Sequence, residues 1–321
     1  MKRILTGIQP SGILHVGNYF GAIRPIVQMQ EQGEVFVFLA DLHALTSLQD
    51  AERLRHFSRE AAIDLLACGV DASRSVFWRQ SDVLEHAELT WVLSTVTPTG
   101  LLERCHAYKD KVARGLSASA GLFTYPVLQA ADILLYDADV VPVGKDQKQH
   151  LEVTRDIAIK INEAFGPVFK LPEPLISEDL ATIPGVDGQK MSKSYGNTID
   201  IFMEEKALRK RVMSIVTDST PLEAPKDPEG SIILQLYALV AEPAAVAVMR
   251  EEFRAGGVGY GHFKQRLFEA LWEYFAPIRE RREALVKDPE QVESILRDGA
   301  ERARVIAAAT MERVRKAVGL R

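Results

Sequence analysis

Two lysines three residues apart, Lys190 and Lys193, lie in the short polar segment Lys-Met-Ser-Lys-Ser, which has glycines on both sides at positions 188 and 196. A loop of small residues can carry such a pair of positive charges and still move. Positive charges held in this way stabilise the negative charge that builds up on a leaving pyrophosphate. An exposed polar loop has the same composition, so the segment predicts a phosphate clamp only together with a second phosphate-binding element.

The second element is the stretch Gln-Pro-Ser-Gly-Ile-Leu-His-Val-Gly-Asn at residues 9–18. It follows an apolar run at residues 4–8, which predicts a parallel strand, and it precedes a segment whose apolar spacing predicts a helix. Backbone N–H groups and the positive end of a helix dipole converge at such a turn. We therefore expect a phosphate cradle in which His15 and Asn18 donate hydrogen bonds and Gly17 leaves room for a base or ribose. The alternative is an ordinary βα loop in which His15 caps a helix or packs.

A stripe of polar side chains lies on a helix that is otherwise apolar nearly all round and is therefore predicted to be buried. Tyr125, Gln129, Asp132 and Tyr136 follow each other at i, i+4, i+7 and i+11, which places them on one face. Thr124 is predicted to cap the start of this helix. A buried carboxylate needs a hydrogen-bond donor, so the stripe predicts a ligand-facing wall in which Asp132 accepts an N–H or O–H. An internal salt bridge or helix cap for Asp132 is the alternative.

A second strand-to-helix turn, Gly144-Lys145-Asp146-Gln147, repeats the arrangement of residues 9–18. It follows the apolar run at residues 140–143 and opens a long helix predicted to extend to Phe165. Asp146 suits a pair of ribose hydroxyls, and it also suits a helix cap.

The elements that must position these residues alternate between strands and helices. Nearly continuous apolar runs at residues 34–40 and 76–78 predict strands covered on both faces, with a helix between them. The order β-α-β-α-β predicts an α/β fold with a doubly wound, Rossmann-like parallel sheet. His43 follows the run at residues 34–40, where it is either a site residue or a buried histidine satisfied by Asp41.

A helical hairpin at residues 87–96 and 101–114 carries much apolar surface, which serves either a subunit interface or packing within its own domain. The segment at residues 171–188 is rich in Pro, Glu and Asp and is predicted to be a linker. After Ile201 the pattern becomes helical to the end and predicts a second, all-helical domain. The basic cluster of this domain, which either contacts a phosphate backbone or forms a solvated helix face, consists of Lys206, Arg209, Lys210 and Arg211.

The composition is that of an ordinary globular protein: 321 residues, 47% of them hydrophobic, with a formal net charge of -5. This charge argues against a general polyanion binder. We expect neither a signal peptide nor a membrane span, because no sufficiently long apolar stretch is present. The two cysteines, Cys68 and Cys105, suit free thiols in a reducing cytoplasm and are too few for a zinc site.

Taken together, His15-Val16-Gly17-Asn18 and the segment Lys190–Ser194 resemble the two signature motifs of the class I aminoacyl-tRNA synthetases. Residues 7–12, residues 125–136 and the Val-Pro-Val-Gly run with Asp146, Gln147 and His150 are similar to the bacterial tryptophanyl-tRNA synthetases, and the likeness covers most of the chain. The resemblance implies a cytoplasmic homodimer that activates L-tryptophan with Mg-ATP, esterifies tRNA(Trp) and reads the anticodon with its helical domain.

The same resemblance implies domain limits. Residues 1–189 would form the Rossmann-like catalytic domain, with a helical dimerisation insertion at about residues 82–122. Residues 190–321 would contain the mobile Lys-Met-Ser-Lys-Ser loop and the helical anticodon-binding domain.

Site roles are implied position by position. Asp132 would accept the indole N–H of tryptophan, and the other tryptophan-binding residues would be Tyr125, Gln129, Gln147, His43 and Gly7. ATP would be held by Gln9, Pro10, Ser11, Gly17, Asn18, Gly144, Lys145, Asp146, Ile183, Lys190, Met191, Ser192, Lys193 and Ser194. Catalysis would depend on His15, Asn18, Lys111, Lys190 and Lys193, with no protein nucleophile. Mg²⁺ would arrive with ATP rather than at a dedicated protein site.

Two positions depart from the family pattern. Gln129 stands where many bacterial members have methionine, and Tyr125-x-x-x-Gln129-x-x-Asp132 also resembles the amino-acid-binding helix of tyrosyl-tRNA synthetases. Lys145 stands where an acidic residue is usual. Two alternatives therefore remain: a synthetase of the same class that prefers tyrosine or a modified tryptophan, and a moonlighting paralogue that binds RNA or protein. The Val-Pro-Val-Gly context and the absence of a recognisable extra carboxyl-terminal RNA-binding module favour tryptophan. The intact Lys190 and Lys193 argue against a non-catalytic paralogue.

Overall fold

A computed structural model of the chain describes residues 2–115, 117–143, 148–176 and 183–320. Within these ranges, five parallel strands form one sheet in the order β3-β2-β1-β4-β5. Their bounds are β1 Arg3–Ile8, β2 Glu34–Leu39, β3 Ser75–Arg79, β4 Val140–Val143 and β5 Glu173–Ile176. The strand order reverses direction at β1, so β1 and β4 flank the position where doubly wound sheets bind ligands.

The sheet is covered on both faces, as its apolar strands require. Along β2, Val35, Val37 and Leu39 belong to one buried cluster, while Phe36 and Phe38 belong to the other. This alternation follows from the two-residue period of a strand, which points successive side chains to opposite faces. The doubly wound α/β class predicted from the sequence is confirmed.

Helices surround the sheet. In the first part of the chain they are α1 Val16–Asn18, α2 Arg24–Met29, α3 Asp41–Ala44, α4 Ala51–Ala67, α5 Glu85–Ser94, α6 Thr99–Glu103, α7 His106–Ala113, α8 Ala120–Leu134 and α9 Lys148–Phe165. A π-helical turn at Tyr19–Ile23 joins α1 to α2, and short 3-10 turns lie at Gln80–Asp82 and Lys193–Tyr195. The second part contains α10 Glu205–Met213, α11 Ile232–Val240, α12 Pro243–Ala255, α13 Tyr260–Tyr274, α14 Ala276–Lys287 and α15 Pro289–Val318. Within the described residues no strand follows Ile201, as predicted.

The final helix returns to the sheet. Helix α15 packs along β3, and its Gly299 lies so close that a Cβ there would be 1.8 Å from the carbonyl oxygen of Phe77. Ala303, Ala307 and Met311 of the same helix are fully buried in the cluster that also contains Trp78. The helical second part therefore ends as a covering layer of the first.

Three predictions about local structure were wrong. The segment at residues 171–188 was predicted to be a linker, yet Glu173–Ile176 forms the edge strand β5 beside β4. An edge strand tolerates Pro174 and needs only a short apolar run, so its signal is weak. The hairpin helix predicted at residues 101–114 is divided into α6 and α7. Helix α8 begins at Ala120, capped by the Ser119 hydroxyl rather than by Thr124. Residues 144–147, the second predicted phosphate turn, lie outside the described residues.

Candidate active site

A cavity of 460 Å³ opens at the carboxyl ends of β1, β2 and β4. The volume of this central cavity lies in the range of small-molecule sites, about 300 to 1,000 Å³. Its polar walls contain Gln9, His43, Thr46, Ser47, Tyr125, Gln129, Asp132 and His150, and its apolar walls include Leu5, Phe38, Ile133 and Val141. Gly7 also lines the cavity, and a Cβ there would lie 2.5 Å from the Phe38 ring. Glycine at this position therefore lets the Phe38 ring lie against β1.

Asp132 is 1% exposed and accepts three hydrogen bonds from protein side chains. Oδ1 accepts from Gln80 Nε2 at 2.6 Å and from His86 Nδ1 at 2.6 Å, and Oδ2 accepts from His43 Nε2 at 2.7 Å. Of these three partners only His43 lines the central cavity, together with Asp132 itself. A carboxylate can accept about four hydrogen bonds, which leaves one acceptor position for a ligand.

The surroundings of Asp132 keep it ionised. Burial raises the pKa of this carboxyl, but the charge and hydrogen bond of His43 and the hydrogen bond of His86 outweigh burial and hold the pKa at about 2. An ionised carboxylate is an acceptor only. The group at this end of the cavity can therefore receive an N–H or O–H from a ligand and cannot donate one.

The polar stripe of α8 divides between the cavity and the layer beneath it. Tyr125, Gln129 and Asp132 line the cavity, and Tyr125 Oη lies 2.5 Å from His150 Nε2. Burial raises the pKa of Tyr125 to about 12, so its hydroxyl keeps its proton. Tyr136, predicted as the fourth member of the stripe, lies two residues beyond the end of α8; it is fully buried, and its Oη lies 2.8 Å from His86 Nε2.

His43 bonds to Asp132, not to Asp41 as one interpretation of the sequence had it. Asp41 instead accepts hydrogen bonds from Ser81. The structure thus places His43 in the hydrogen-bond network of the central cavity.

The turn at residues 9–18 leads into α1 through a reciprocal cap. His15 Nδ1 accepts the Asn18 N–H at 3.2 Å, and Asn18 Oδ1 accepts the His15 N–H at 3.4 Å. Burial and, to a smaller extent, the nearby positive charge of Lys193 lower the pKa of His15 to about 4. Because His15 is neutral and Nδ1 is an acceptor, its ring proton is on Nε2, which is left as a donor.

The segment Lys190–Ser194, here called the dilysine segment, lies directly against this turn. The Gly17 N–H points to Met191 Sδ at 3.3 Å, and Lys193 Nζ donates to the Ser11 carbonyl at 3.1 Å. Met191 is buried, and its N–H donates to the Ile183 carbonyl at 2.8 Å. The two motifs singled out in the sequence, which are more than 170 residues apart in the chain, therefore contact each other in the fold.

The two parts of the site adjoin. A narrow cleft of 90 Å³ is lined by Gln9, Ser11, Gly12, Asn18, Asp64 and Lys193, among others. Gln9 lines both this cleft and the central cavity. A ligand that fills the central cavity and extends past Gln9 would reach Lys193 of the dilysine segment.

The other predicted site residues are distributed around this arrangement. Lys111 lies with Arg114 on a 770 Å³ cavity that shares Thr46, Ser47 and Leu122 with the central one. Lys190 and Ser194 are exposed, Ser192 is half-buried and Pro10 is buried beside the amino-terminal turn. Gly144, Lys145, Asp146 and Gln147 lie outside the described residues.

Sequence reasoning missed Gln80 and His86, which hold Asp132, and Asn197, which contacts the dilysine segment. The available signal for Gln80 was its place directly after β3, where polar residues reach the ligand-binding edge of a parallel sheet. No local pattern pointed to His86.

Within the described residues, no group of three or more His, Cys, Asp or Glu side chains is placed to hold a metal ion. Among the helices of the described ranges, none combines the length and the apolar character needed to cross a bilayer.

A switch-point cavity next to a strand-to-helix turn, with a dilysine segment lying against that turn, is the arrangement of a class I tRNA synthetase. The family model "tRNA synthetases class I (W and Y)" matches residues 1–276, and the chain belongs to this family.

Its relatives narrow the assignment. The tryptophan-tRNA ligase of Fusobacterium nucleatum is 54% identical over 321 residues, covering 100% of this chain and 98% of that protein. The tryptophan-tRNA ligase of Rhodopirellula baltica is 55% identical over 319 residues, covering 99% of this chain and 100% of that protein. The crystal structure of tryptophanyl-tRNA synthetase from Campylobacter jejuni, in complex with ADP and tryptophan, superposes with a TM-score of 0.94 at 53% identity and covers 99% of this chain and 100% of that one.

Proposed function

We infer that this chain is a tryptophan-tRNA ligase, which uses ATP to convert L-tryptophan to tryptophanyl-adenylate and then transfers the tryptophanyl group to tRNA(Trp). The observation that carries the proposal is the ionised, buried Asp132 at one end of a cavity whose other end, at Gln9, adjoins the dilysine segment. The relatives described above, more than half identical over the whole chain, support tryptophan as the amino acid.

Tryptophan would bind in the central cavity with its indole N–H donating to Asp132 Oδ2. The apolar walls suit the ring, and the hydroxyl of Tyr125 with the amide of Gln129 is available to polar groups of the ligand. Gly7 and His43 complete the walls on the strand side. The proposed role of Gln147 concerns a residue outside the described ranges and rests on the family resemblance alone.

ATP would bind across the amino-terminal turn. Asn18, Ser11 and the Nε2–H of His15 are polar groups of this turn. Gly17 keeps the ATP-binding role that the resemblance implies; a Cβ there would lie 3.1 Å from the His15 ring and 3.2 Å from Met191. Pro10, Ile183, Met191 and Ser192 would shape the nucleotide site, and Gly144, Lys145 and Asp146 keep the ATP-binding roles that the resemblance implies. Mg²⁺ would come with the nucleotide, held by its phosphate oxygens.

In the first step, an oxygen of the tryptophan carboxylate attacks the α-phosphorus of ATP in line. A bond forms between that oxygen and phosphorus, the bond from phosphorus to the bridging oxygen breaks, and pyrophosphate leaves with the electron pair. The protein supplies orientation and positive charge rather than a nucleophile. Lys193, Lys190 and Lys111 would stabilise the charge on the leaving pyrophosphate.

In the second step, a terminal ribose hydroxyl of tRNA(Trp) attacks the carbonyl carbon of the adenylate. The new ester bond forms, the bond from the carbonyl carbon to the phosphate oxygen breaks, AMP leaves with the electron pair, and the hydroxyl proton passes to a phosphate oxygen of the leaving AMP. The helical part of the chain beyond residue 190 would read the anticodon. Its cluster Lys206, Arg209, Lys210 and Arg211 offers charge for the phosphate backbone.

The proposed homodimer has a candidate surface on α5. Leu84 and Trp91 are 78% and 73% exposed and, being seven residues apart, lie on the same face of the helix. Sedimentation velocity should show a dimer for the native chain and a monomer for Trp91→Glu. Val248→Glu, the same kind of change at an exposed apolar residue of α12, should remain dimeric. A monomeric native chain would contradict this part of the proposal.

A cytoplasmic location is proposed as well. Cys68 and Cys105 are both free and buried, as thiols commonly are in a reducing compartment.

Pyrophosphate exchange tests the function directly. Purified protein should exchange pyrophosphate into ATP when tryptophan is added, and it should charge tRNA(Trp) with tryptophan. Tyrosine and phenylalanine at the same concentration should support little exchange. Exchange driven by tyrosine, or by none of the three, would reject the proposal in favour of an altered preference or of a non-catalytic protein.

A further inference from the structure

Asn197 is a polar residue that is only 2% exposed, three residues beyond the dilysine segment. Its amide nitrogen donates to Asp187 Oδ1 at 2.8 Å and to the Lys190 carbonyl at 3.1 Å. Its amide oxygen accepts the Ser192 N–H at 2.7 Å. The Asn197 side chain therefore forms hydrogen bonds to the backbone on both sides of Met191. These four residues, Asn197, Asp187, Lys190 and Ser192, are the Asn197 cluster.

The backbone around the cluster is built to admit this side chain. The Asn197 carbonyl accepts the Val186 N–H at 3.0 Å, which holds the turn containing Asp187. At Gly185 a Cβ would lie 2.4 Å from the Asn197 amide, so the turn can approach only because residue 185 has no side chain. Asparagine uses both its donor and its acceptor here. Alanine could supply neither, and aspartate could supply only the acceptor.

The cluster lies where the side chains of the segment alternate between the core and the solvent-accessible side. With Lys190 and Ser192 held, Met191 is buried with its Sδ against the Gly17 N–H, whereas the side chains on either side remain accessible. Lys193, two residues from Met191, reaches the Ser11 carbonyl. On the other side of Asn197, Arg211 of α10 bonds to the carbonyls of Gly196 and Thr198. The register of the dilysine segment against the amino-terminal turn thus depends on contacts centred on Asn197.

We propose that Asn197 is a positioning residue for adenylate formation: through Lys190 and Ser192 it holds the dilysine segment in the register that brings its two ammonium groups to the leaving pyrophosphate. The inference rests on the proposed function and adds a residue to it. Asn197 touches no substrate and acts through the backbone that carries the lysines. Because a displacement of about 1 Å can reduce a rate by about 100-fold, loss of this register should be visible in the chemical step.

The first test compares Asn197→Ala with a matched control. Asn162→Ala removes hydrogen bonds of the same kind, none of them to the segment: Asn162 Oδ1 accepts the N–H groups of Val168 and Phe169, and its nitrogen donates to the Phe169 carbonyl. We expect the single-turnover rate of adenylate formation per active site to fall about 10- to 100-fold in Asn197→Ala and to stay within twofold in Asn162→Ala. The tryptophan dissociation constant should stay within twofold in both, because the Asn197 cluster shares no residue with the central cavity.

The second test exchanges the two ends of one hydrogen bond and remains informative if the alanine variant fails to fold. Asn197→Asp keeps the acceptor for Ser192 but faces the carboxylate of Asp187, so the rate should fall. Combining it with Asp187→Asn places an amide opposite the new carboxylate and should recover at least threefold of the lost rate. If Asn197→Asp acted only by destabilising the fold, adding Asp187→Asn would not restore the rate per active site.

Two results would overturn the inference: a native single-turnover rate in Asn197→Ala, or a double variant no faster than Asn197→Asp. Failure of the proposed function has a different signature, because the unmodified chain would then show no tryptophan-dependent exchange. Lys193→Ala is the reference variant. If Lys193→Ala forms the adenylate slowly while Asn197→Ala forms it at the native rate, the proposed function is supported and the positioning role of Asn197 is rejected.

Discussion

Asp132 in the central cavity is 1% exposed and accepts three hydrogen bonds from Gln80, His86 and His43. Lys193 in the dilysine segment is exposed and donates to the backbone carbonyl of Ser11. The carboxylate is thus oriented by protein donors before any ligand arrives, whereas the ammonium has a partner that a phosphate group can replace. We therefore expect a division of roles: the cavity recognises the amino acid in the ground state, and the segment stabilises the charge that develops on pyrophosphate in the transition state.

The largest effect is expected at the dilysine segment. Lys193→Ala should lower the first-order rate of adenylate formation by about 100- to 1,000-fold, the usual cost of removing one group that stabilises transition-state charge. The tryptophan dissociation constant should change less than twofold, because Lys193 does not line the central cavity. Single-turnover kinetics and isothermal titration calorimetry measure the two quantities, with exposed Lys287→Ala as the control. Equal losses in rate and affinity would break the proposed division.

The next largest effect is expected at Asp132. Asp132→Ala removes the acceptor of the indole N–H and should weaken tryptophan binding by about 1 to 3 kcal/mol, the cost of an unpaired buried donor. That corresponds to a dissociation constant about 5- to 150-fold higher. Calorimetry on this variant and on exposed Asp298→Ala provides the comparison. An unchanged dissociation constant in Asp132→Ala would reject its role as indole acceptor.

A smaller effect is expected one layer deeper, at His86. This residue is fully buried between Asp132 and Tyr136 and does not line the cavity. His86→Phe keeps a ring but removes one donor to Asp132, and we expect tryptophan to bind about 10-fold more weakly, in line with one lost charge-assisted hydrogen bond of about 1.5 kcal/mol. The single-turnover rate at saturating tryptophan should stay within threefold. His56→Phe, at an exposed histidine, is the matched control. A large fall in the saturated rate with native affinity would assign His86 to catalysis and contradict the comparison.

The smallest effect concerns stability against pH on the phosphate side of the site. Burial and the charge of Lys193 lower the pKa of His15 from 6.5 to about 4. Between pH 4 and pH 6.5, His15 therefore binds a proton more readily in the unfolded chain than in the folded one. The contribution of His15 to stability consequently grows as pH rises. Burial, only partly offset by Arg282, raises the pKa of Asp64 from 3.8 to about 6, so its contribution falls as pH rises. The two slopes oppose each other.

Asp64→Asn should remove the second slope. Urea unfolding between pH 4 and pH 6.5 should then show a free energy of unfolding that increases more steeply with pH than in the native chain. Adding His15→Gln should flatten the dependence again. Parallel curves for native and Asp64→Asn proteins would show that these two groups do not titrate as their surroundings indicate.

Much of the fold could be predicted because its signals are local. The runs at residues 34–40 and 76–78 are apolar on both faces, and such a strand buries its side chains only in a sheet that is covered on both sides. Strand β5 could not be found in this way, since its four residues include Pro174 and gain their place by pairing with β4. The start of α8 was misplaced because serine and threonine are both good caps, and only the chain geometry chooses Ser119.

The candidate site was predictable to a similar extent. All the described residues expected to bind tryptophan, namely Gly7, His43, Tyr125, Gln129 and Asp132, line one cavity, and their roles remain predictions. The partners of Asp132 were not predictable. The interpretation of Asp132 offered either a ligand or an internal partner, whereas the structure provides internal donors and leaves room for a ligand.

The sequence by itself determined the α/β class, the strand-to-helix turn at residues 9–18, the dilysine segment and the polar stripe of α8, because periodicity and residue chemistry act over a few neighbouring positions. Only the tertiary structure decided that the dilysine segment lies on that turn, that Gln80 and His86 hold Asp132, and that α15 returns to β3. These contacts join residues far apart in the chain. They depend on which apolar faces the whole molecule buries together, and a pattern over a few neighbouring residues does not contain that information.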